Sequence, residues 1–198
     1  MPNDNFTAEF KFLARNVADA YSAHQAAWDV VGPSPTDKRH FHHDYNLLPN
    51  NQGCLITVRA ESHHFDKAHY FHNNASIIRT EYDEGTRLRF LLISSALIKS
   101  PNEPQRPCVT YHEHLGWIIM HSARNGFCVD SKSLEIDNEP ALVAKPGRPK
   151  FFLNKACFEG FLTVTDSDLF AKSLISGVGR HKGLGFGMLK IINNNAGN

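Results

Sequence analysis

Two side chains near the start of the chain, Tyr21 and His24, have the types and the spacing needed for proton transfer. They lie three residues apart, so on a helix both project from the same face. Histidine donates or accepts a proton near neutral pH, and a neighbouring tyrosine hydroxyl can orient a substrate group. Trp28 and Val31 continue the same helical face, so a partly buried packing stripe is the alternative explanation.

The 12 histidines of the chain also raise the question of a metal site. Close groups occur at His40 with His42 and His43, at His63 with His64, at His69 with His72, and at His112 with His114. Only His40 with His42, on one strand face, and His69 with His72, on a helix, have a spacing that lets them converge. No HExxH motif accompanies them. We therefore predict that the protein holds no metal and no cofactor. A protein that binds metal through its histidines remains an alternative hypothesis.

A glycine-rich basic segment, residues 176–189, indicates an anionic ligand. Its five glycines permit positive φ and close approach to main-chain N–H groups, while Arg180 and Lys182 add positive charge. A Walker A motif is absent, and a dinucleotide fingerprint would need a third glycine where Lys182 lies. Since a helix precedes this segment and a strand follows it, we expect contact with a nucleic-acid backbone. A loop that merely ends a helix is the alternative.

The charge distribution agrees with a nucleic-acid partner. Residues 141–198 contain eight Lys or Arg against three acidic residues, a net +5, and the remainder carries −4 because the whole chain carries +1. Such an asymmetry suits a phosphate backbone, although a solvated basic face would look the same. The four cysteines form no CxxC pair, and no apolar run approaches about 20 residues. We expect a cytoplasmic protein with no membrane partner.

The helices and strands that position these residues are predicted to occur in the same order in both halves of the chain. In the first half we predict strands at 6–12, 41–45, 54–59 and 75–82, a helix between Asn16 and Gly32, and at most a poor helix in the His-rich stretch 61–74. In the second half we predict strands at 86–95, 127–136, 155–165 and 186–192, a helix capped by Thr110 and Glu113 and ended at Gly126, and a helix from Asp166 to Gly177. The segment at 83–85 indicates a hairpin between strands 75–82 and 86–95.

This order predicts an α+β fold with two tandem ferredoxin-like (RRM-like) βαββαβ domains. The first domain, residues 1–84, would have a degraded second helix and would contain the helix with Tyr21 and His24. The second domain, residues 85–198, would contain a basic hairpin and the glycine-rich segment.

Four segments, taken together, resemble the CasE-type CRISPR RNA endoribonucleases, the precursor-processing subunits of type I-E Cascade, or a close type IV or transposon-associated relative. The segments are the YxxHQxxW pattern of residues 21–28, residues 88–99, residues 157–164 and the glycine-rich residues 177–187. They occur in the family's order over nearly the entire chain. The resemblance implies metal-independent cleavage of precursor CRISPR RNA at the 3′ base of a repeat stem-loop. The 2′-hydroxyl would attack the phosphate to give a 2′,3′-cyclic phosphate and a 5′-hydroxyl.

The resemblance also implies residue roles and partners. His24 would be the general acid/base, and Tyr21 its neighbour at the scissile phosphate. RNA would be bound by a basic hairpin and by the glycine-rich segment, which contribute Lys145, Arg148, Lys150, Lys155, Gly177, Gly179, Arg180, Lys182, Gly183 and Gly185. The partners would be the repeat stem-loop and other Cascade-like effector subunits, especially a backbone subunit. A non-catalytic RNA-binding or assembly subunit on the same fold is the second hypothesis.

Overall fold

The first sheet is built from the first part of the chain. The computed structural model describes residues 7–32, 40–61, 75–99 and 104–192, so most of the predicted His-rich stretch 61–74, including His63, His64, His69 and His72, lies outside the described residues. The strands are β1 (Thr7–Ala14), β2 (Phe41–Leu47), β3 (Cys54–Glu61) and β4 (Ala75–Ile77). They pair in the order β2-β3-β1-β4, antiparallel throughout.

Helix α1 (Ala20–Val31) connects β1 to β2. Its N-cap is Asp19, whose carboxylate accepts hydrogen bonds from the backbone N–H groups of Tyr21 and Ser22, at 2.7 and 3.3 Å. The predicted N-cap, Asn16, was wrong: it adopts a positive φ of 61° in the preceding turn. The helix ends at Gly32, as predicted, with a φ of 82°.

The second sheet repeats the arrangement of the first. The strands are β5 (Arg87–Ser94), β8 (Phe127–Val129), β9 (Glu135–Val143), β10 (Phe151–Val164) and β11 (Leu189–Ile191), and the helices are α2 (Tyr111–Arg124) and α3 (Ser167–Ser176). A small separate ladder pairs β6 (Leu97–Ile98) with β7 (Arg106–Pro107). The main order is β11-β5-β10-β8, and β9 forms a long hairpin with β10. The predicted caps of both helices are confirmed at Thr110, Glu113 and Asp166.

Both sheets therefore have the strand order of a ferredoxin-like domain, and the predicted α+β architecture is confirmed. Two further local predictions were wrong. No hairpin forms at 83–85, because β4 pairs with β1 while β5 pairs with β10 and β11. The predicted strand 127–136 is divided into β8 and β9 by a turn that begins at Asp130. The domain boundary between residues 84 and 85 stays a prediction.

Arg59 forms contacts that connect the first sheet with the second half of the chain. From β3 it forms an ion pair with Glu9 and donates from Nη1 to the carbonyl oxygens of Leu174 in α3 and Leu189 in β11, at 2.6 and 2.8 Å. A buried guanidinium needs such partners to offset its desolvation, so this residue couples the packing of the two halves. Within the described part of the chain, no helix is long and apolar enough to cross a membrane.

Candidate active site

Helix α1 presents Tyr21 and His24 on the flank of its buried face. The alanines Ala20, Ala23 and Ala27 fill the core side of the helix, while Tyr21 and His24 are half-buried. The small alanine side chains let α1 approach the sheet closely, so the neighbouring residues reach the edge of the packing interface. Both predicted residues therefore lie at a partly accessible position on a rigid element.

The ring of His24 is fixed by Trp28. The indole Nε1 of Trp28 donates a 3.0 Å hydrogen bond to Nε2 of His24, and the two rings meet edge to face. Because Nε2 accepts this hydrogen bond, it carries no proton, and the single ring proton of a neutral imidazole is then on Nδ1. Sequence reasoning treated Trp28 only as a packing residue. Its i, i+4 spacing from His24 is the feature that could have revealed this hydrogen bond.

A second histidine, His43 on β2, lies beside His24. It is fully buried, and its ring centroid is 5.5 Å from that of His24. As predicted for a strand, His43 and the half-buried His42 are on opposite faces. In the described residues no three His, Cys, Asp or Glu side chains are grouped so that they could hold a metal ion.

The β9–β10 hairpin reaches across to the first domain. Its Val143 and Leu153 pack in the core formed by β1, β2, β3 and α1. At the end of β9 the backbone N–H of Ala144 donates to the carboxylate of Asp19, at 3.2 Å. Lys145 Nζ consequently lies 5.8 Å from the centroid of the Tyr21 ring. The hairpin thus brings a cation to the N-terminal turn of α1.

The other predicted hairpin cations divide into two kinds. Arg148 and Lys150 are exposed in the loop between the two strands, where Gly147 has a φ of 71°. Lys155 lies inside β10, pairs with Glu139 at 2.5 Å, and its Nζ is 5.8 Å from the centroid of the Tyr45 ring. The charge of Lys155 is therefore partly compensated within the protein, unlike that of Arg148 and Lys150.

The glycine loop, residues 177–188, packs between the two domains. Gly179 and Gly185 adopt φ angles of 87° and 84°. A Cβ on Gly185 would lie 2.5 Å from the Tyr45 ring in the first domain, and one on Gly179 would lie 3.0 Å from Trp117 in the second. At these two positions glycine is required by close packing within the protein. The predicted contact of Gly179 and Gly185 with RNA stays a prediction.

Two basic side chains of the glycine loop form hydrogen bonds within the protein. Lys182 Nζ donates to the carbonyl oxygens of Ser176 and Gly177, both at 2.8 Å, and so satisfies the C-terminal end of α3. The Arg180 guanidinium is exposed and donates to Gln105 Oε1, at 2.9 Å. Burial, with Arg180 nearby, lowers the pKa of His181, which has a φ of 55°.

Of the predicted site residues, the structure brings Tyr21, His24 and Lys145 together around α1. The 3₁₀ helix Lys182–Leu184, which includes Gly183, contacts the same helix, and Leu184 packs against the first core. Arg180 lies on the side of the glycine loop that faces the second domain, beside Trp117. The arrangement offers a proton-transferring imidazole, a hydroxyl and a cation, which is a set suited to a phosphate ester.

Comparisons with known proteins give a match to one family model and to several solved structures. A family model described as "CRISPR associated protein" matches residues 4–193. No curated protein matches the chain significantly. A solved structure of the CRISPR endoribonuclease Cse3 bound to a 19-nucleotide RNA is 18% identical, with a TM-score of 0.74 over 95% of this chain and 100% of that one.

Two further solved structures have the same fold. Thermus thermophilus Cse3 bound to an RNA representing a pre-cleavage complex gives a TM-score of 0.70 at 19% identity, over 95% of this chain and 100% of that one. Cas6e from Escherichia coli K-12 gives 0.68 at 19% identity, over 93% and 98%. At these identities the likeness shows the two-domain ferredoxin-like fold.

Proposed function

The chain belongs to the CRISPR-associated protein family, and we propose that it is a metal-independent endoribonuclease that processes precursor CRISPR RNA. It would bind the stem-loop of the CRISPR repeat and cut at the 3′ base of the stem. The 2′-hydroxyl would attack the adjacent phosphorus while the bond to the 5′ oxygen breaks, leaving a 2′,3′-cyclic phosphate and a 5′-hydroxyl. The structures it resembles include that of a CRISPR endoribonuclease bound to RNA, and that of Thermus thermophilus Cse3 bound to an RNA that represents a pre-cleavage complex.

The observation that carries this proposal is the approach of Lys145 to Tyr21 on the helix that also carries His24. His24 and Tyr21 lie on one flank of the helix, and Lys145 reaches Tyr21 from the second domain. In-line attack by a 2′-hydroxyl needs a proton to leave that hydroxyl and a proton to reach the departing oxygen. His24 would act as the general acid/base, Tyr21 would hold the phosphate, and Lys145 would neutralise its charge.

The exposed cations of the hairpin would bind the RNA itself. Arg148 and Lys150 extend from the loop of the hairpin without an ion pair to any other described residue. Long cationic side chains of this kind contact the phosphates of an A-form stem and recognise its shape. The product would remain bound, since the contacts to the stem are independent of the cut. The protein would then form part of a Cascade-like effector complex together with a backbone subunit, as a match within a CRISPR RNA-guided surveillance complex suggests.

The test is cleavage of repeat RNA by wild type and His24→Ala in the presence of a chelator. Wild type should cut without divalent ions, and mass spectrometry should identify the 2′,3′-cyclic phosphate. His24→Ala should bind the RNA with unchanged affinity and leave it intact. An RNA with a 2′-deoxy nucleotide at the cleavage position is the matched control. Full activity of His24→Ala, or dependence on a divalent ion, would contradict the mechanism.

A second candidate function, a non-catalytic RNA-binding or assembly subunit, is favoured by one observation. The hydrogen bond from Trp28 occupies the Nε2 lone pair of His24, which a general base would use. In that case Tyr21 and His24 are packing residues, and wild type binds the stem-loop but leaves it whole. The same assay separates the two functions.

A further inference from the structure

The second domain contains a cleft that the proposed cleavage reaction does not use. It has a volume of about 470 Å³ and lies between the C-terminal half of α2, the short β6 strand and the glycine loop. Its polar lining consists of Ser95, Lys99, Gln105, His121, Arg124 and Arg180.

The charged residues that line this cleft in the described part of the chain are all basic. Lys99, Arg124 and Arg180 are exposed at its edge, and no acidic residue lines it among the residues that the structure describes. Within the same residues, Lys99 and Arg124 form no ion pair. The described side-chain hydrogen bond of Arg180 goes to Gln105, which is neutral. Three cations that converge where the described residues supply no counter-charge favour an anion.

The floor of the cleft offers hydrogen-bonding groups to a ligand. Ser95 is only 1% exposed, and its hydroxyl has no hydrogen-bond partner in the described part of the chain. Buried hydroxyls are normally paired, so this group is available to a bound molecule. His121 stacks on Trp117 with ring centroids 4.1 Å apart. Burial, with Arg124 and Lys182 nearby, lowers the pKa of His121 and so favours the neutral imidazole, which can both donate and accept a hydrogen bond.

We propose that this cleft binds the sugar–phosphate backbone of a single-stranded RNA segment that flanks the stem-loop. The inference rests on the proposed RNA-processing function. Arg180 and Lys182 belong to the same loop, and the 3₁₀ helix of that loop contacts α1, which carries His24. The glycine loop therefore both lines this cleft and contacts the helix of the candidate active site. A concave cleft with neutral hydrogen-bonding groups on its floor suits one strand, whereas a duplex needs an open surface.

The experiment compares two double variants that remove the same charge. Lys99→Gln/Arg124→Gln removes two cations of the cleft, and Lys132→Gln/Lys172→Gln removes two exposed cations elsewhere on the second domain. Each protein is titrated by fluorescence anisotropy, over a series of KCl concentrations, with two uncleavable 2′-deoxy RNAs. One RNA is the bare stem-loop, and the other carries about five unpaired nucleotides on each side.

For the extended RNA, we expect the cleft variant to raise Kd about tenfold relative to the control variant and to reduce the salt slope by about 1. For the bare stem-loop, the two variants should bind equally. Equal affinities for the extended RNA would overturn the proposal, as would an equal loss on the bare stem-loop. If wild type binds neither RNA, the proposed function itself fails, and the inference fails with it. That result is seen before any variant is measured.

Discussion

The indole N–H of Trp28 and Nε2 of His24 are joined by a 3.0 Å hydrogen bond within one turn of α1. This bond fixes the tautomer and the orientation of the candidate acid/base at once. It also means that His24 must exchange Trp28 for an RNA oxygen before Nε2 can take part in proton transfer. The RNA-free protein would thus hold the His24 imidazole in a defined resting position.

Trp28→Phe tests this relationship, because it keeps an aromatic ring against Phe41 and removes only the donor. We expect the ¹⁵N NMR shifts of His24 to change from a pure Nδ1–H tautomer to a mixture of the two tautomers. Loss of one partly buried hydrogen bond should lower the free energy of unfolding by about 1 kcal/mol. An unchanged tautomer in the variant would show that another group fixes the ring.

Much of the fold could be predicted from the sequence because its local patterns agree with the final packing. The capping box at Thr110 and Glu113 and the stop at Gly32 are local features, and both were predicted correctly. The partner of β4 was not predicted correctly, because strand pairing depends on residues that are distant in the chain. A turn at residues 83–85 is compatible with a hairpin and equally with a connection between two sheets.

The candidate site was only partly predictable for the same reason. Tyr21 and His24 are close in sequence, so their spacing was informative. Lys145 reaches Tyr21 only because Val143 and Leu153 pack in the core of the other domain. The glycines of the glycine loop were noticed, but their contacts with Tyr45 and Trp117 come from elements more than 60 residues away in the chain.

Gly185→Ala should be far more damaging than its positive φ alone explains. The new methyl group would lie 2.5 Å from the buried Tyr45 ring, and overpacking of this kind costs about 1 to 3 kcal/mol. Gly147→Ala is the matched control, since Gly147 also has a positive φ, of 71°, but nothing lies within 4 Å of its Cβ position. Urea unfolding should show only the backbone cost of about 1 to 2 kcal/mol for the control. Equal losses would contradict tight packing of the loop on Tyr45.

Glu113 makes the stability of helix α2 depend on pH in the acidic range. Hydrogen bonds from Arg106 and from the backbone N–H groups of Val109 and Thr110 lower the pKa of Glu113 from 4.5 to about 2. Because the folded-state pKa is the lower one, the stabilisation is complete above pH 4.5 and is lost as the pH falls towards 2.

Glu113→Gln should therefore flatten the profile of Tm against pH between 4.5 and 2, since an amide has no charge to lose. Above that range the variant should be less stable than wild type, because the ion pair with Arg106 is gone. Asp168→Asn, in the first turn of α3, is a control acid for which no described ion pair is found. The same slope in wild type and Glu113→Gln would assign the acid sensitivity to other carboxylates.

The basic residues that the family resemblance assigns to RNA binding should fall into two classes when they are replaced. One class should lose RNA affinity, and the other should lose stability. Lys145→Gln/Arg148→Gln/Lys150→Gln removes three exposed cations of the hairpin, so Tm should be unchanged while affinity for the stem-loop falls about tenfold or more and its salt dependence weakens.

Lys182→Met instead removes the donor to Ser176 and Gly177, so it should lower stability by about 2 kcal/mol without RNA present. Anisotropy titrations and thermal unfolding of both proteins check this division. A Lys182→Met protein of unchanged stability that has lost RNA affinity would move Lys182 from the helix-capping class to the RNA-binding class.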